Sequence, residues 1–248
     1  MKKIRQILKS KNEDQSIISN EMLDRFYGYN KTLQQQKPID ASGAAIPWYT
    51  YPAMEFIEQF DFSEKKIFEW GSGNSSVYFS KKAAQVISIE HDTQWYNIVS
   101  ARLQSNQQLQ HIDLEQYPAA IETFSEQFDV IVIDGQRRFD CAQMCQPFLK
   151  ENGMIILDNS DWFYLSAAYL REKLNLLQVD FHGFGPINNY TWTTSIFLTK
   201  KFNFPLIANR QPKNPKGGLL HDEREIIRNE DKRFNTNNLN VVENYFNK

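Results

Sequence analysis

The segment Lys66-Ile-Phe-Glu-Trp-Gly-Ser-Gly-Asn-Ser-Ser76 constrains this chain more than any other. A short apolar run ends in the acid Glu69 and its neighbour Trp70, and a Gly71-Ser72-Gly73 turn follows. After a helix-like stretch comes a second apolar run, Val86-Ile-Ser-Ile-Glu90, which also closes on a carboxylate. This is the pattern of a nucleoside-binding βαβ unit. The first strand delivers the chain to a tight turn, and the glycines let the backbone approach a ligand. The second carboxylate arrives where ribose hydroxyls need an acceptor. Glycine is scarce here, 10 of 248 residues, below the usual ~7%. Two glycines flanking one residue after an apolar strand therefore answer a local need.

Outward from this unit, strands and helices alternate. Strands are predicted over residues 67–70, 86–90, 109–114, 128–134 and 153–158. Helices are predicted over 75–84, 95–103, 118–124, 139–150 and 162–174. The runs Phe128-Asp-Val-Ile-Val-Ile-Asp134 and Gly153-Met-Ile-Ile-Leu-Asp158 are continuously apolar, as strands buried on both faces require. Residues 177–184 and 193–200 are strand-like, and the gap around Gly185-Pro186 is too short for a helical crossover. These two strands should therefore pair antiparallel. The expected fold class is α/β: a doubly wound, mostly parallel, seven-stranded Rossmann-like sheet with a reversed, antiparallel edge strand. Residues 1–50 read as a helical and aromatic cap, residues 51–202 as the binding domain, and residues 203–248 as a polar, Asn-rich, extended tail.

The segment from Trp48 to Lys200 resembles a class I S-adenosylmethionine-dependent methyltransferase. That family carries an acid followed by Gly-x-Gly-x-Gly, which stands here as Glu69-Trp70-Gly71-Ser72-Gly73-Asn74-Ser75, with serine in the third glycine position. The resemblance implies that S-adenosyl-L-methionine is held by Glu69, Trp70, Gly71, Ser72, Gly73 and Ser75. It puts the ribose acid at Glu90, His91 beside the adenine, and Asp134 at the end of the fourth strand. A nicotinamide dinucleotide fits the sequence less well. Its fingerprint needs a further glycine where Ser76 stands, and Glu69 beside the turn would repel a pyrophosphate. A nucleotide-dependent oxidoreductase is thus one rival reading, and a non-catalytic S-adenosylmethionine-binding or scaffold protein is another.

Asp134 closes one central strand and Asp158-Asn159 closes the next. Adjacent strands lie about 4.8 Å apart, so these oxygen-bearing side chains should converge at the carboxyl edge, where such folds bind ligands. Here the sequence resembles the cation-dependent O-methyltransferases of the catechol and caffeoyl type. Their ligand set falls on Asp134, Asp158 and Asn159, which implies Mg²⁺ or Ca²⁺ and O-methylation of a small-molecule acceptor. The same Asp158-Asn159-Ser160-Asp161 run suits a helix cap or hydrogen bonding to substrate. The catechol enzymes place a lysine base where Arg137 stands. An arginine cannot serve as that base but can clamp an acidic acceptor. Asp134, Asp158 and Arg137 are the candidate catalytic groups.

Composition narrows the partners. With 28 Lys and Arg against 30 Asp and Glu, net −2, no global field draws the chain to nucleic acid or to a membrane. Nor does an Asp/Asn-Pro-Pro-Tyr segment, by which amino-methylases of DNA bases resemble one another, follow the fourth strand. The sequence there is Asp134-Gly-Gln-Arg. No apolar run reaches 18 residues, and a cytoplasmic location is expected. Cys141 and Cys145 read as small buried helix residues rather than half a metal site. Trp48, Tyr49, Tyr51 and Trp192 are candidates for covering the cofactor or walling the acceptor.

Overall fold

The computed structural model describes residues 15–208, 211–218 and 220–246. The apolar period expected at Ile4, Ile7 and Leu8 lies outside these residues. The chain divides into two compact units, with the boundary between Lys213 and Asn214.

The first unit is a seven-stranded α/β sheet. Its strands are β1 Lys66–Trp70, β2 Gln85–Glu90, β3 Gln107–His111, β4 Phe128–Ile133, β5 Leu149–Leu157, β6 Leu177–Gly183 and β7 Trp192–Leu198. Their spatial order is β3-β2-β1-β4-β5-β7-β6. The pairs from β3 through β5 are parallel, while β7 runs antiparallel to both β5 and the edge strand β6. The strand order reverses between β1 and β4, which is where doubly wound sheets open a crevice.

Period-two alternation explains how one sheet carries two cores. Ile67, Val86, Val130, Val132, Met154 and Ile156 point to one face, where they meet Tyr49, Met54, Ile57, Phe62 and Phe79. Phe68, Trp70, Ile87, Ile131, Ile133, Ile155 and Leu157 point to the other, against Tyr117, Ile121, Cys141, Ala142 and Leu170. Cys141 and Cys145 are free and buried in that second layer, as small apolar side chains would be.

The helices of this unit are α1 Gln15–Tyr27, α2 Tyr29–Gln35, α3 Tyr51–Ile57, α4 Asn74–Ser80, α5 Thr93–Ser100, α6 Arg138–Met144 and α7 Tyr164–Glu172. Several are shorter than periodicity predicts. The helix expected over 139–150 ends at Met144 and passes into a 3₁₀ turn, Gln146–Phe148, because Pro147 has no N–H to continue it. The stretch Pro118–Thr123 is likewise 3₁₀ rather than α. Helix α7 starts at Tyr164, because Asn159 takes a left-handed φ of 50° and turns the chain before it.

Residues 203–207 pack on this unit. Phe204 is buried in the first core layer, and Phe60 bridges to Leu206. The second unit, residues 214–248, contains helices α8 Glu223–Phe234 and α9 Asn238–Phe246 where an extended tail is expected. Helix α8 has favourable end chemistry and no buried residue. Asp222 caps its first turn by accepting from Arg224 N at 2.9 Å, acids lie in the first turn, and Lys232 and Arg233 lie in the last. No helix among the described residues is long and apolar enough to cross a membrane.

Candidate functional site at the carboxyl edge of the sheet

The glycine turn starts where the ladders of β1 end. Gly71 N donates to Ile89 O at 3.0 Å and Asp134 N donates to Trp70 O at 3.0 Å, so the turn emerges between β2 and β4. Gly71 has a φ of +100°, and a Cβ there would stand 3.1 Å from the carbonyl oxygen of Asp134. A side chain is thus barred both by conformation and by the approach of the β4 end. Gly135 is needed for a different reason: a Cβ would meet the Tyr117 hydroxyl at 2.0 Å.

Both acids of the motif sit as the sequence predicts, at strand ends beside this turn. Glu90 is buried. Its Oε1 accepts from His91 N at 2.9 Å and Asp92 N at 3.0 Å, and its Oε2 accepts from Ser72 Oγ at 2.9 Å. The carboxylate therefore ties the glycine turn to the β2 end, with His91 Nδ1 at 3.2 Å. Glu69 is 1% exposed, and its Oε2 accepts from Ser76 Oγ and, at 2.8 Å, from Ser88 Oγ. Its Oε1 makes no direct hydrogen bond, although the nearby Ser75 hydroxyl pulls hardest of the three serines on the carboxyl. Burial pushes the Glu69 carboxyl up to about 7, against the pull of the Ser75, Ser76 and Ser88 hydroxyls.

The other motif residues divide between turn and core. Gly73 N donates to Ser76 Oγ at 3.0 Å, and Ser72 O accepts from Trp95 Nε1 at 2.7 Å. Ser75 is buried in the first turn of α4. The Trp70 side chain is fully buried in the second core layer and donates to Tyr117 O at 3.0 Å, so only its backbone faces the turn.

Asp134, Asp158 and Asn159 do converge, but around an arginine. Arg138 Nε donates to Gly135 O at 2.9 Å. Its Nη1 donates to Asp158 O and, at 3.0 Å, to Asn159 Oδ1. Its Nη2 lies 3.1 Å from Asp134 Oδ1 and 3.4 Å from Asp134 O. Asp158 Oδ1 is taken from the other side, by Trp192 Nε1 at 3.0 Å and Thr194 Oγ1 at 2.5 Å. These oxygens are committed to protein donors, and a guanidinium stands among them. The set does not fit Mg²⁺ or Ca²⁺, which need several oxygens turned toward one empty point. Nor does any group of three His, Cys, Asp or Glu suit a metal ion among the described residues.

Burial raises the Asp134 carboxyl to about 6, with Arg138 opposing. Asp158 is pushed well above the carboxylate range, first by burial and then by the Asp134 charge. Asp134 keeps 21% of its side chain exposed, whereas Asp158 is buried. Of the two, Asp134 is the one a ligand can reach.

Arg137 is elsewhere. With a left-handed φ of 49° it turns outward, to Asp140 at 2.8 Å and to the carbonyls of Leu114 and Glu115. The arginine that enters the cluster is its neighbour Arg138, which spacing from Asp134 does not single out. Tyr49 and Tyr117 add buried hydroxyls with no hydrogen-bond partner, raised above the ordinary phenol range first by burial and only further by acids that include Glu69 and Asp134. Ser88 and Thr194 join the site through the sheet register. Period two puts Ser88 on the face of Glu69, and pairing of Leu157 with Ser195 puts Thr194 opposite Asp158.

The sequence matches no protein-family model and no curated protein. Among solved structures the chain is similar to precorrin-6Y C5,15-methyltransferase from Geobacter metallireducens GS-15, with a TM-score of 0.50 and 12% identity over 60% of this chain and 87% of that one. A putative methyltransferase from Streptococcus mutans in complex with SAH gives 0.47 at 12% identity, over 59% of this chain and 95% of that one. A putative caffeoyl-CoA O-methyltransferase from Staphylococcus aureus gives 0.41 at 17%, over 54% and 76%. The first of these likenesses agrees with the strand order: the chain has a Rossmann-like fold shared with that methyltransferase, and at such identity the likeness shows the fold alone.

Proposed function

We infer that the protein is an S-adenosylmethionine-dependent methyltransferase acting on a hydroxyl of a small molecule, without help from a divalent ion. One observation carries the reading. A glycine turn that tolerates no side chain at Gly71 lies between two buried strand-end carboxylates, Glu69 and Glu90, and Glu69 retains an unpartnered oxygen. A cationic, zwitterionic nucleoside suits two acids at this turn, whereas a pyrophosphate does not. Glu90 is suited to the ribose hydroxyls, and Glu69 to the ammonium end directly or through water. The near-neutral net charge of −2 favours a small acceptor over nucleic acid.

The acceptor chemistry follows from Asp134. It stands beside Gly71, is partly exposed, and holds a carboxyl raised to about 6, which suits a general base taking a hydroxyl proton as the oxygen attacks the methyl group. Trp192, Tyr190 and Trp162 form an aromatic series beside Asp158, with Tyr190 and Trp162 exposed, and would bind an acceptor with a planar or apolar face.

Glu90→Ala tests the cofactor assignment. Loss of hydrogen bonds to a charged acceptor, about 1.5–3 kcal/mol, should weaken S-adenosylhomocysteine binding by roughly 10- to 100-fold. Calorimetric titration of the variant, with circular dichroism to verify folding, checks this. Unchanged affinity in a folded variant would put the ribose elsewhere.

A further inference from the structure

We propose that Arg138 is a built-in cation that takes the place of a divalent metal at the β4 and β5 strand ends, and that the oxygens it occupies become a metal site only when its guanidinium is removed. The inference does not rest on methyl transfer. It follows from the geometry of five donors and five acceptors.

A guanidinium has five N–H groups in a rigid fork. Here one points to Gly135 O, two to Asp158 O and Asn159 Oδ1, and two to Asp134 O and Asp134 Oδ1. Every donor has an acceptor, and every acceptor is an oxygen. Backbone carbonyls, an amide oxygen and a carboxylate oxygen gathered on one centre are the donor types that hard cations choose. Arg138 is 9% exposed, and its guanidinium carbon lies 4.5 Å from the centroid of the Phe163 ring, which covers it from the α7 side. With all donors spent and an aromatic face over it, this arginine has nothing left with which to bind an acceptor. Its work is to hold the ends of two adjacent strands at a fixed separation and to place one permanent positive charge among Asp134, Asp158 and Asn159.

The consequences concern metal binding. A divalent ion entering the wild-type site would have to displace the guanidinium from its oxygens while remaining beside its charge. Truncating the arginine leaves the same oxygens facing one another around a vacated, negatively charged space. Of the ligand set that the resemblance implies, this space keeps the Asp134 and Asn159 side chains but only the backbone carbonyl of Asp158.

The experiment is a titration of Mn²⁺ into the full-length protein, following the free-ion electron paramagnetic resonance signal. Wild type should bind no stoichiometric ion. Arg138→Ala should bind one Mn²⁺ per chain with an affinity at least ~10-fold above wild type. Adding Asp134→Asn should remove that gain, and ethylguanidinium should compete with it. Stoichiometric Mn²⁺ on the wild type that Asp134→Asn abolishes would overturn the proposal, as would a folded Arg138→Ala chain that binds none. If Arg138→Ala does not fold alone, refolding with Mn²⁺ or ethylguanidinium decides. Recovery of the near-ultraviolet dichroism with either one and not with Na⁺ supports the proposal, and no recovery overturns it. None of these outcomes depends on the cofactor, so failure here leaves the methyltransferase reading standing.

Discussion

Replacing Asp134 by Asn is expected to cut methyl transfer by roughly 10²- to 10⁴-fold, the usual contribution of a positioned general base. The substitution is nearly isosteric, and Asn keeps an oxygen for Arg138 and a backbone N–H for Trp70 O, so the strand end should hold its shape. What is lost is the ability to take a proton. Burial raises this carboxyl to about 6, so the wild-type rate should climb as pH rises through 6 and level off above it. The residual Asn rate should lack that rise. The assay is transfer of label from methyl-labelled S-adenosylmethionine into a low-mass extract of the source cells, at several pH values. Full activity in the Asn variant would remove Asp134 from catalysis, and label appearing in nucleic acid would contradict a small-molecule acceptor.

Glu69→Gln should stabilise the ligand-free protein at alkaline pH. The Glu69 carboxyl is raised from 4.5 to about 7 in the fold. The native state therefore holds its proton more tightly than the unfolded chain does. Glu69 has little effect below pH 4.5, weakens the fold progressively as pH rises from 4.5 to 7, and exerts its full penalty above that. A shift of this size corresponds to about 3 kcal/mol. Glutamine keeps an oxygen for Ser76 and Ser88 but cannot ionise, so the penalty disappears. Urea unfolding at pH 5 and pH 8 should give a variant more stable than wild type at pH 8, with the difference much reduced at pH 5. A variant equally or less stable than wild type at pH 8 would mean the Glu69 carboxylate is already compensated. The gain should come with weaker binding of the cofactor's amino acid portion, because the same unpartnered oxygen is proposed to receive it.

Much of this site was legible in the sequence because it is written in period two. Glu69 and Ser88 share a face with Ile67 and Val86. The alternation Val130, Val132 continues to Asp134, and Met154, Ile156 continues to Asp158. Strand-end acids on adjacent strands must therefore meet on one face, as they do. The fold followed from the same runs together with the short connection that forces β6 and β7 to pair antiparallel.

What the sequence did not convey was the direction of residues in turns. Counting from Asp134 selects Arg137, but a left-handed φ of 49° sends it outward and brings Arg138 inward. Nothing in a string of residue types distinguishes two adjacent arginines before the turn is known. Once Arg138 is in place, the Asp134 and Asn159 side chains and the Asp158 carbonyl surround a guanidinium, while the Asp158 carboxylate is held by Trp192 and Thr194. Tyr117 is equally hard to assign from the sequence, because it reaches the site from a segment remote in the chain, whereas Tyr49 already stands among the aromatic candidates. Trp70 moved the other way. The strand alternation that points Glu69 to the site face points Trp70 to the opposite core.

The central claim is that a methylsulfonium nucleoside, not a phosphate-bearing one, occupies the turn between Glu69 and Glu90. Thermal unfolding of the wild-type protein with S-adenosylhomocysteine or with NAD⁺ tests it most directly. At a concentration of about 100 Kd, a ligand that binds only the native state adds about 2.7 kcal/mol. S-adenosylhomocysteine should therefore raise the midpoint by several degrees, while NAD⁺ leaves it unmoved. A shift with NAD⁺ and none with S-adenosylhomocysteine would contradict the account.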